Sequence, residues 1–137
     1  MTAEEILKKY RDIAVVGISD KPDRASYQVS KYLMENGYNI IPVNPVLEDW
    51  EGKKVYKDVK SIEGNVDVVD IFRKPEFVEE IVKDAKGKAR VIWMQEGIVN
   101  EDAKKLAMDM GMEVVMDKCM KKGLSTGLIA AVQVLHL

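Results

Sequence analysis

The feature that most constrains this chain is a short apolar run followed by a glycine and a polar loop, at residues 13–26. The four residues from Ile13 to Val16 are all apolar, which predicts a strand buried on both faces of a sheet. Gly17 permits a tight turn at the end of that strand, and Ser26 is the expected cap of the amphipathic helix that follows. Because a helix begins with unpaired N–H groups and a partial positive charge, this layout predicts a phosphate-binding site.

The loop favours a ligand with several phosphates over a nicotinamide dinucleotide. A dinucleotide fingerprint has the spacing Gly-x-Gly-x-x-Gly here and an acidic residue about twenty positions later for the ribose. This chain has one glycine in the loop, and Asn44 rather than Asp or Glu follows the second predicted strand. The loop supplies two hydroxyls and two cations that suit phosphate oxygens, namely Ser19, Lys21, Arg24 and Ser26. An NAD(P)-binding oxidoreductase-type domain stays an alternative.

Length and charge narrow the class of protein. With 137 residues and a net charge of −2, the chain predicts one domain over residues 1–137, without the basic field that nucleic acid requires. The longest nearly uncharged run, residues 124–137, is too short to span a bilayer, and the amino terminus lacks a signal-peptide pattern, so we expect a cytoplasmic protein without membrane contact. One cysteine, Cys119, and one histidine, His136, exclude an internal disulfide and a metal cluster built from them.

Hydrophobic periodicity and cap residues predict alternating helices and strands. A lead-in helix over residues 2–11 has the Thr2/Glu5 capping-box spacing. Later helices end at Asn36-Gly37, begin at Pro75 with Phe77 facing inward, and begin after Asn100. Residues 45–64 give weaker signals: a turn at Glu51-Gly52, a short edge strand at Val55-Tyr56 and one helical turn at 59–62. The five predicted main strands are 13–16, 39–43, with Pro42 near its end, 66–72, 89–94 and 112–116.

This alternation predicts an α/β fold, a Rossmann-like three-layer α/β/α arrangement with a five- or six-stranded, mainly parallel sheet. In such a sheet the ligand lies at the carboxyl ends of the strands, where the strand order reverses. The residues that directly follow each strand are therefore the candidate site.

Those strand-end residues carry a resemblance to a known family. The motifs are Val-Gly-Ile-Ser-x-x-Pro-x-Arg-x-Ser at 16–26, Gly-Tyr-x-Ile-Ile-Pro-Val-Asn-Pro at 37–45, Asp-Val-Val-Asp-Ile-Phe-Arg at 67–73, Trp-Met-Gln-Glu-Gly-Ile at 93–98 and Val-Val-Met-Asp-x-Cys at 114–119. In this order the chain resembles the small coenzyme A-binding domain family and, more distantly, the amino-terminal domain of the succinyl-CoA synthetase alpha subunit. The resemblance implies a Rossmann-like fold that binds coenzyme A or an acyl-CoA, without assigned catalysis.

The resemblance also implies roles for individual positions. Phosphates would be held by the glycine loop, the nucleotide would lie beside the residues after the second strand, and the next two strand ends would close over and face the ligand. The implied set, with Lys21 added for its charge, is Gly17, Ile18, Ser19, Lys21, Arg24, Ser26, Asn44, Pro45, Phe72, Arg73, Lys74, Met94, Gln95 and Glu96. The family position and the lysines around it place Cys119 near the thiol end of the ligand, although a small buried hydrophobe is the alternative reading of that residue.

No catalytic constellation is visible in the sequence, so we expect a binding module and not an enzyme. Two alternatives remain, the NAD(P)-binding domain and an interaction protein that has lost its ligand. Leu124, Leu128, Val132 and Leu135 recur at helical spacing in a segment without charged residues, which predicts a buried final helix. Its surplus apolar surface predicts either a homodimer interface or packing against the sheet of its own chain.

Overall fold

The computed structural model describes residues 1–125 of the chain. The strands are β1 (Asp12–Val16), β2 (Asn39–Val43), β3 (Asp49–Trp50), β4 (Lys53–Lys54), β5 (Val68–Ile71), β6 (Val91–Met94) and β7 (Glu113–Val115). The α-helices are α1 (Ala3–Lys9), α2 (Ala25–Glu35), α3 (Val78–Ala85) and α4 (Glu101–Asp109), residues 120–125 are also helical, and 3-10 turns form at Val59–Ser61 and Pro75–Phe77. Five of the strands form one parallel sheet in the order β2-β1-β5-β6-β7, which confirms the predicted architecture.

Two hydrophobic layers cover the sheet, one on each face. Alternate residues of a strand point to opposite faces, so Ile13 and Val15 pack with α1 and α2, whereas Ala14 and Val16 pack with α3 and α4. All four residues are buried, as the apolar run predicts. This arrangement is the expected three-layer sandwich, in which a ligand reaches the sheet at the carboxyl ends of its strands.

Several predicted helix boundaries are confirmed by their capping contacts. Thr2 Oγ1 accepts a hydrogen bond from the Glu5 N–H at 3.1 Å, which confirms Thr2 as the cap of α1, and the Glu5 carboxylate accepts from the Thr2 hydroxyl. Asn100 Oδ1 accepts from the Ala103 N–H at 2.9 Å at the start of α4. Gly37 has φ +89° after α2, the left-handed conformation expected of a glycine that ends a helix.

The predicted cap of α2 is wrong. The cap position is Arg24, and Ser26 lies inside the first turn, where its hydroxyl oxygen accepts a hydrogen bond from the Ser19 N–H at 3.0 Å. Ser26 therefore holds the preceding loop against the helix and leaves the first N–H groups of α2 without a side-chain cap.

The segment after β2 forms a hairpin that the sequence did not predict. Strands β3 and β4 pair antiparallel across the predicted Glu51-Gly52 turn, and both turn residues have positive φ, +51° and +78°, as a type I′ turn requires. The predicted edge strand at 55–56 is reduced to one parallel bridge between Tyr56 and Val43, whereas the predicted helical turn is confirmed at Val59–Ser61.

Phe77 was expected to face the core, and it is 39% exposed. Residues Pro75–Phe77 form a 3-10 turn ahead of α3, so the spacing of the α-helix begins only at Val78. Because a 3-10 turn advances three residues per turn, Phe77 does not share the inward face of α3.

Two predictions concern the carboxyl-terminal part of the chain. The predicted apolar stripe and its dimer interface fall on residues 124–137, of which all but the first two lie outside the described residues. In residues 1–125, no helix has the length and apolar character needed to cross a bilayer.

Candidate functional site

The strand order fixes the position of the crevice. From β1 the chain moves outward to β2 and then returns past β1 to β5, so the order reverses between β1 and β5. Gly17 follows β1 and Phe72 follows β5. Their backbones approach so closely that a Cβ atom on Gly17 would lie 2.5 Å from the Phe72 carbonyl oxygen. Position 17 also has a φ of +84°, which residues with a side chain rarely adopt. The close approach and the positive φ are therefore two independent reasons for glycine at this position.

Hydrogen bonds shape the loop after Gly17. The Lys21 N–H donates to Ser19 Oγ at 3.1 Å, which turns the chain back toward α2. The indole N–H of Trp50, from the β3–β4 hairpin, donates to the Ser19 carbonyl oxygen at 2.9 Å. Trp50 is buried, and the Tyr27 ring meets it edge-on at 5.8 Å. The β3–β4 hairpin thus contacts the loop after Gly17 through Trp50 and stabilises its conformation.

The start of α2 differs from the starts of α1 and α4. Those two helices have capping side chains and acidic residues in their first turns, whereas α2 has neither. A negatively charged group from a ligand would fill both roles, since it accepts from the free N–H groups and complements the helix dipole. The open end of α2 faces a cavity of about 320 Å³ whose lining includes Gly17, Ser19, Lys21, Arg24, Ser26 and Phe72. Six of the predicted site residues therefore meet at one place.

Arg73 lies beside this cavity and rests on an aromatic ring. Its guanidinium carbon lies 4.5 Å from the centre of the Phe77 ring, and within residues 1–125 it forms no salt bridge. The 3-10 turn that carries Phe77 is tied to α4, because Asn100 Nδ2 donates to the Pro75 carbonyl oxygen at 2.8 Å. Arg73, half-buried, and Lys74, exposed, are thus available to a ligand.

A second cavity of about 340 Å³ lies on the α3 side of Arg73, and Pro45 lines it. Asp58, Glu80 and Asp84 lie around it, together with Lys57. Burial raises the pKa of Asp84, and the nearby charges of Asp58 and Glu80 raise it further. Charged carboxylates repel phosphate, so this second cavity is less suited to an anion than the cavity at the start of α2.

The side-chain amide of Asn44 forms hydrogen bonds with backbone groups of two loops. Its Nδ2 donates to the Ile18 carbonyl oxygen at 2.9 Å, and its Oδ1 accepts from the N–H groups of Val46 and Leu47. The side chain therefore joins the loop after β2 to the loop after β1.

Three predicted site residues have buried side chains. Ile18 and Met94 are fully buried in opposite layers of the core, so only the backbone of Ile18 borders the crevice. Gln95 is 2% exposed, and its Nε2 donates to Asp70 Oδ2 at 3.1 Å. Asp70 is completely buried in β5, and its other oxygen, Oδ1, has no partner within the described residues. Burial raises the pKa of Asp70 well above its ordinary range, and the bond from Gln95 offsets that only in part.

The remaining predicted residues lie at the ends of β6 and β7. Glu96 and Cys119 line a cavity of about 680 Å³ that is separate from the other two and is walled by α1, Trp93 and the helical residues 120–125. Lys122 Nζ lies 2.8 Å from the Glu96 carboxylate, and Cys119 is half-buried beside this pair. The site residues thus fall into two groups along one edge of the sheet, one at β1 and β5 and one at β6 and β7.

Sequence reasoning missed three residues that shape this edge. Trp50 lies in a polar stretch, and its isolation there was the one sign of a packing role. Phe77 was assigned to the core by its helical spacing. Asp70 is the single polar residue in an apolar strand, which is the signal that would have marked it.

Several known proteins are similar to this chain in sequence or in fold. The uncharacterized protein YneT of Bacillus subtilis (strain 168) is 42% identical over 119 residues, which is 86% of this chain and 88% of that protein. Subunit alpha of the ADP-forming acetate–CoA ligase II of Pyrococcus furiosus is 33% identical over 121 residues, 80% of this chain but only 26% of the subunit. A solved structure of a hypothetical protein from Pyrococcus horikoshii OT3 has a TM-score of 0.88 at 40% identity, and the match covers 93% of each chain.

A family model described as a CoA binding domain matches residues 11–124, a segment that contains all seven strands and every predicted site residue. The chain therefore belongs to the CoA binding domain family.

Proposed function

We propose that this protein binds coenzyme A, free or acylated, at the carboxyl ends of its parallel strands and acts as a binding module without catalysis of its own. The observation that carries the proposal is the uncapped start of α2, which faces the Gly17 crevice beside Lys21 and Arg24. Such an arrangement suits an anion, and coenzyme A brings a pyrophosphate and a 3′-phosphate.

The spacing of the strands supports an extended ligand. Parallel neighbours lie about 4.8 Å apart, so the ends of β1 and β7, three strands apart, are separated by about 14 Å. An extended pantetheine arm has a comparable length. In this arrangement the phosphates lie at α2 and Arg73, and the thiol end lies near Glu96 and Cys119.

The thiol and the histidine of the chain support the proposal of a binding module without catalysis. Cys119 is the one thiol of the chain, and no histidine lies among residues 1–125 to serve as its base. The acetate–CoA ligase subunit is about four times longer than the matching segment, so its activity belongs to a protein with further parts.

Thermal unfolding in the presence of separate ligands tests the proposal against its alternatives. A ligand at one hundred times its dissociation constant adds about 2.7 kcal/mol of stability. Coenzyme A and acetyl-CoA should raise the melting temperature, whereas NAD, NADP and ATP should not. Stabilisation by NAD or NADP alone would support the oxidoreductase-type alternative, and no response to any of the five would support an interaction protein.

Arg24→Ala tests the placement of the phosphates. Loss of a charge-assisted contact should weaken coenzyme A binding by about 1.5–3 kcal/mol in calorimetry, with the melting temperature of the free protein unchanged. Arg90→Ala is the matched control, since Arg90 is an exposed arginine ahead of β6, at the opposite edge of the sheet. Equal affinities for the two variants would exclude the α2 site.

A further inference from the structure

We infer that the cavity beside Cys119 holds the acyl group of an acyl-CoA, and that the ligand this protein prefers is a thioester with an apolar acyl chain. The inference rests on the proposed function, because it extends the same ligand from the strand ends into a further compartment. We call this compartment the acyl cavity.

The size of the acyl cavity is the first argument. Its volume of about 680 Å³ is about twice that of the cavity at the start of α2. Pockets for whole small molecules have volumes of about 300–1,000 Å³. Free coenzyme A ends in one sulfur atom, which would leave almost all of this volume to water. A ligand that fills it must continue beyond the sulfur.

The position of the acyl cavity is the second argument. Cys119 and Glu96 follow the last two strands of the sheet, at the same edge as Gly17 and Phe72. A ligand with its phosphates at α2 and its arm along this edge would therefore bring its sulfur to the mouth of the cavity.

The distribution of polar groups is the third argument. The two buried residues among the described lining are apolar, since Leu7 is 4% exposed and Trp93 is 1% exposed. The Trp93 indole N–H already donates to the Lys118 carbonyl oxygen at 2.7 Å, so the ring presents apolar surface. None of the described buried lining residues offers a polar atom that would select a hydroxylated or charged acyl chain.

The charged residues that line the acyl cavity are all exposed, namely Glu4, Glu96, Asp117, Lys118 and Lys122. Glu96 pairs with Lys122, and both side chains are well exposed, at 60% and 70%. Asp117 Oδ1 accepts from the Gly97 N–H at 2.7 Å. Charged groups at the rim of an apolar interior keep water contact themselves while they leave the interior to hydrocarbon.

The test is a series of thioesters measured by calorimetry on the full chain: coenzyme A, then acetyl-, butyryl-, hexanoyl- and octanoyl-CoA, with succinyl-CoA as the charged comparison. Each buried methylene should tighten binding about fourfold until the cavity is full. Succinyl-CoA should bind more weakly than butyryl-CoA, which has the same four-carbon length.

Ala3→Trp provides the matched variant, because Ala3 is a half-buried wall residue in the first turn of α1. It should flatten the dependence on chain length when the affinity of each thioester is compared with that of free coenzyme A for the same variant. Lys83→Trp adds the same bulk to the exposed side of α3 and should behave as wild type. Ala3→Leu fills less space and should shorten the longest chain that gains affinity, which keeps the test sound if the tryptophan variant unfolds.

The outcomes separate this inference from the proposed function. Binding of coenzyme A with no change along the series, or a preference for succinyl-CoA, would overturn the acyl cavity and leave the proposed function intact. No binding of any thioester or of coenzyme A would overturn both. A rise in affinity with chain length that Ala3→Trp abolishes would support the assignment.

Discussion

Because Asp70 is buried, the wild-type protein should lose stability as the pH rises. Asp70→Asn should not show this loss. Asp70 is completely buried in the central strand β5, and its contact within the described residues is the bond that its Oδ2 accepts from Gln95. Burial in apolar surroundings disfavours the charged carboxylate and holds the pKa of Asp70 well above its ordinary value of 3.8. The folded protein therefore keeps a proton that the unfolded chain releases.

The sign and size of the effect follow from this difference. Below pH 3.8 Asp70 is protonated in both the folded and the unfolded state, so its burial carries no penalty for a charged carboxylate. Above that pH the unfolded chain ionises first, and the free energy of unfolding falls by about 1.4 kcal/mol per pH unit until the pKa of the folded state is reached. Asparagine does not titrate, and its Oδ1 can accept the same bond from Gln95. The free energy of unfolding of Asp70→Asn, relative to that of the wild type, should therefore rise by about 1.4 kcal/mol per pH unit across that range.

Urea unfolding at one-unit steps from pH 4 to pH 8 measures this gain directly. Asp109→Asn is the control, because it makes the same chemical change at an exposed position, at the end of α4. A difference between Asp70→Asn and wild type that does not grow with pH would refute the reasoning. It would mean that the buried carboxylate is charged in the folded state and has a compensating partner.

Three further predictions concern the proposed ligand site. Phe77→Leu should weaken coenzyme A binding two- to fivefold, the equivalent of about 0.5–1 kcal/mol for a cation–π contact, and should have no further effect in an Arg73→Ala background; an effect that persists there would show that Phe77 acts without Arg73. Oxidised coenzyme A should form a mixed disulfide with Cys119, seen in mass spectrometry as one added coenzyme A per chain, and an unchanged mass would place the thiol away from the ligand. Gly17→Ala should lower the free energy of unfolding by about 1–3 kcal/mol, since it combines positive φ with the clash at Phe72, and an unchanged urea midpoint would contradict the close approach.

The sheet and most helix boundaries were predictable because they depend on local patterns. The Thr2 cap, the Asn100 cap and the glycine after α2 each satisfy backbone groups within a few residues of their own position, so their residue types are enough to identify them. The apolar run at β1 predicted a strand buried on both faces for the same reason.

The failures involve contacts between segments that are distant in sequence or elements too short for a pattern. Ser26 has the right residue type for a cap, but the Ser19 N–H seven residues earlier takes its oxygen. Strands β3 and β4 have two residues each, so no alternation can reveal them. The individual ligand contacts stay predictions, and among them the buried side chains of Ile18 and Met94 depend on core packing that spacing alone does not reveal.

The placement of the two tryptophans has a practical consequence for spectroscopy. Trp50 touches the loop that would hold the phosphates, through its bond to Ser19, and Trp93 lines the acyl cavity. These are the only two tryptophans of the chain, so its intrinsic fluorescence comes from two probes at opposite ends of the proposed ligand. With Trp93→Phe the emission would report on the phosphate end alone, and with Trp50→Phe on the acyl end alone. Stopped-flow traces of the two variants would then show which end of the ligand arrives first, without any added dye.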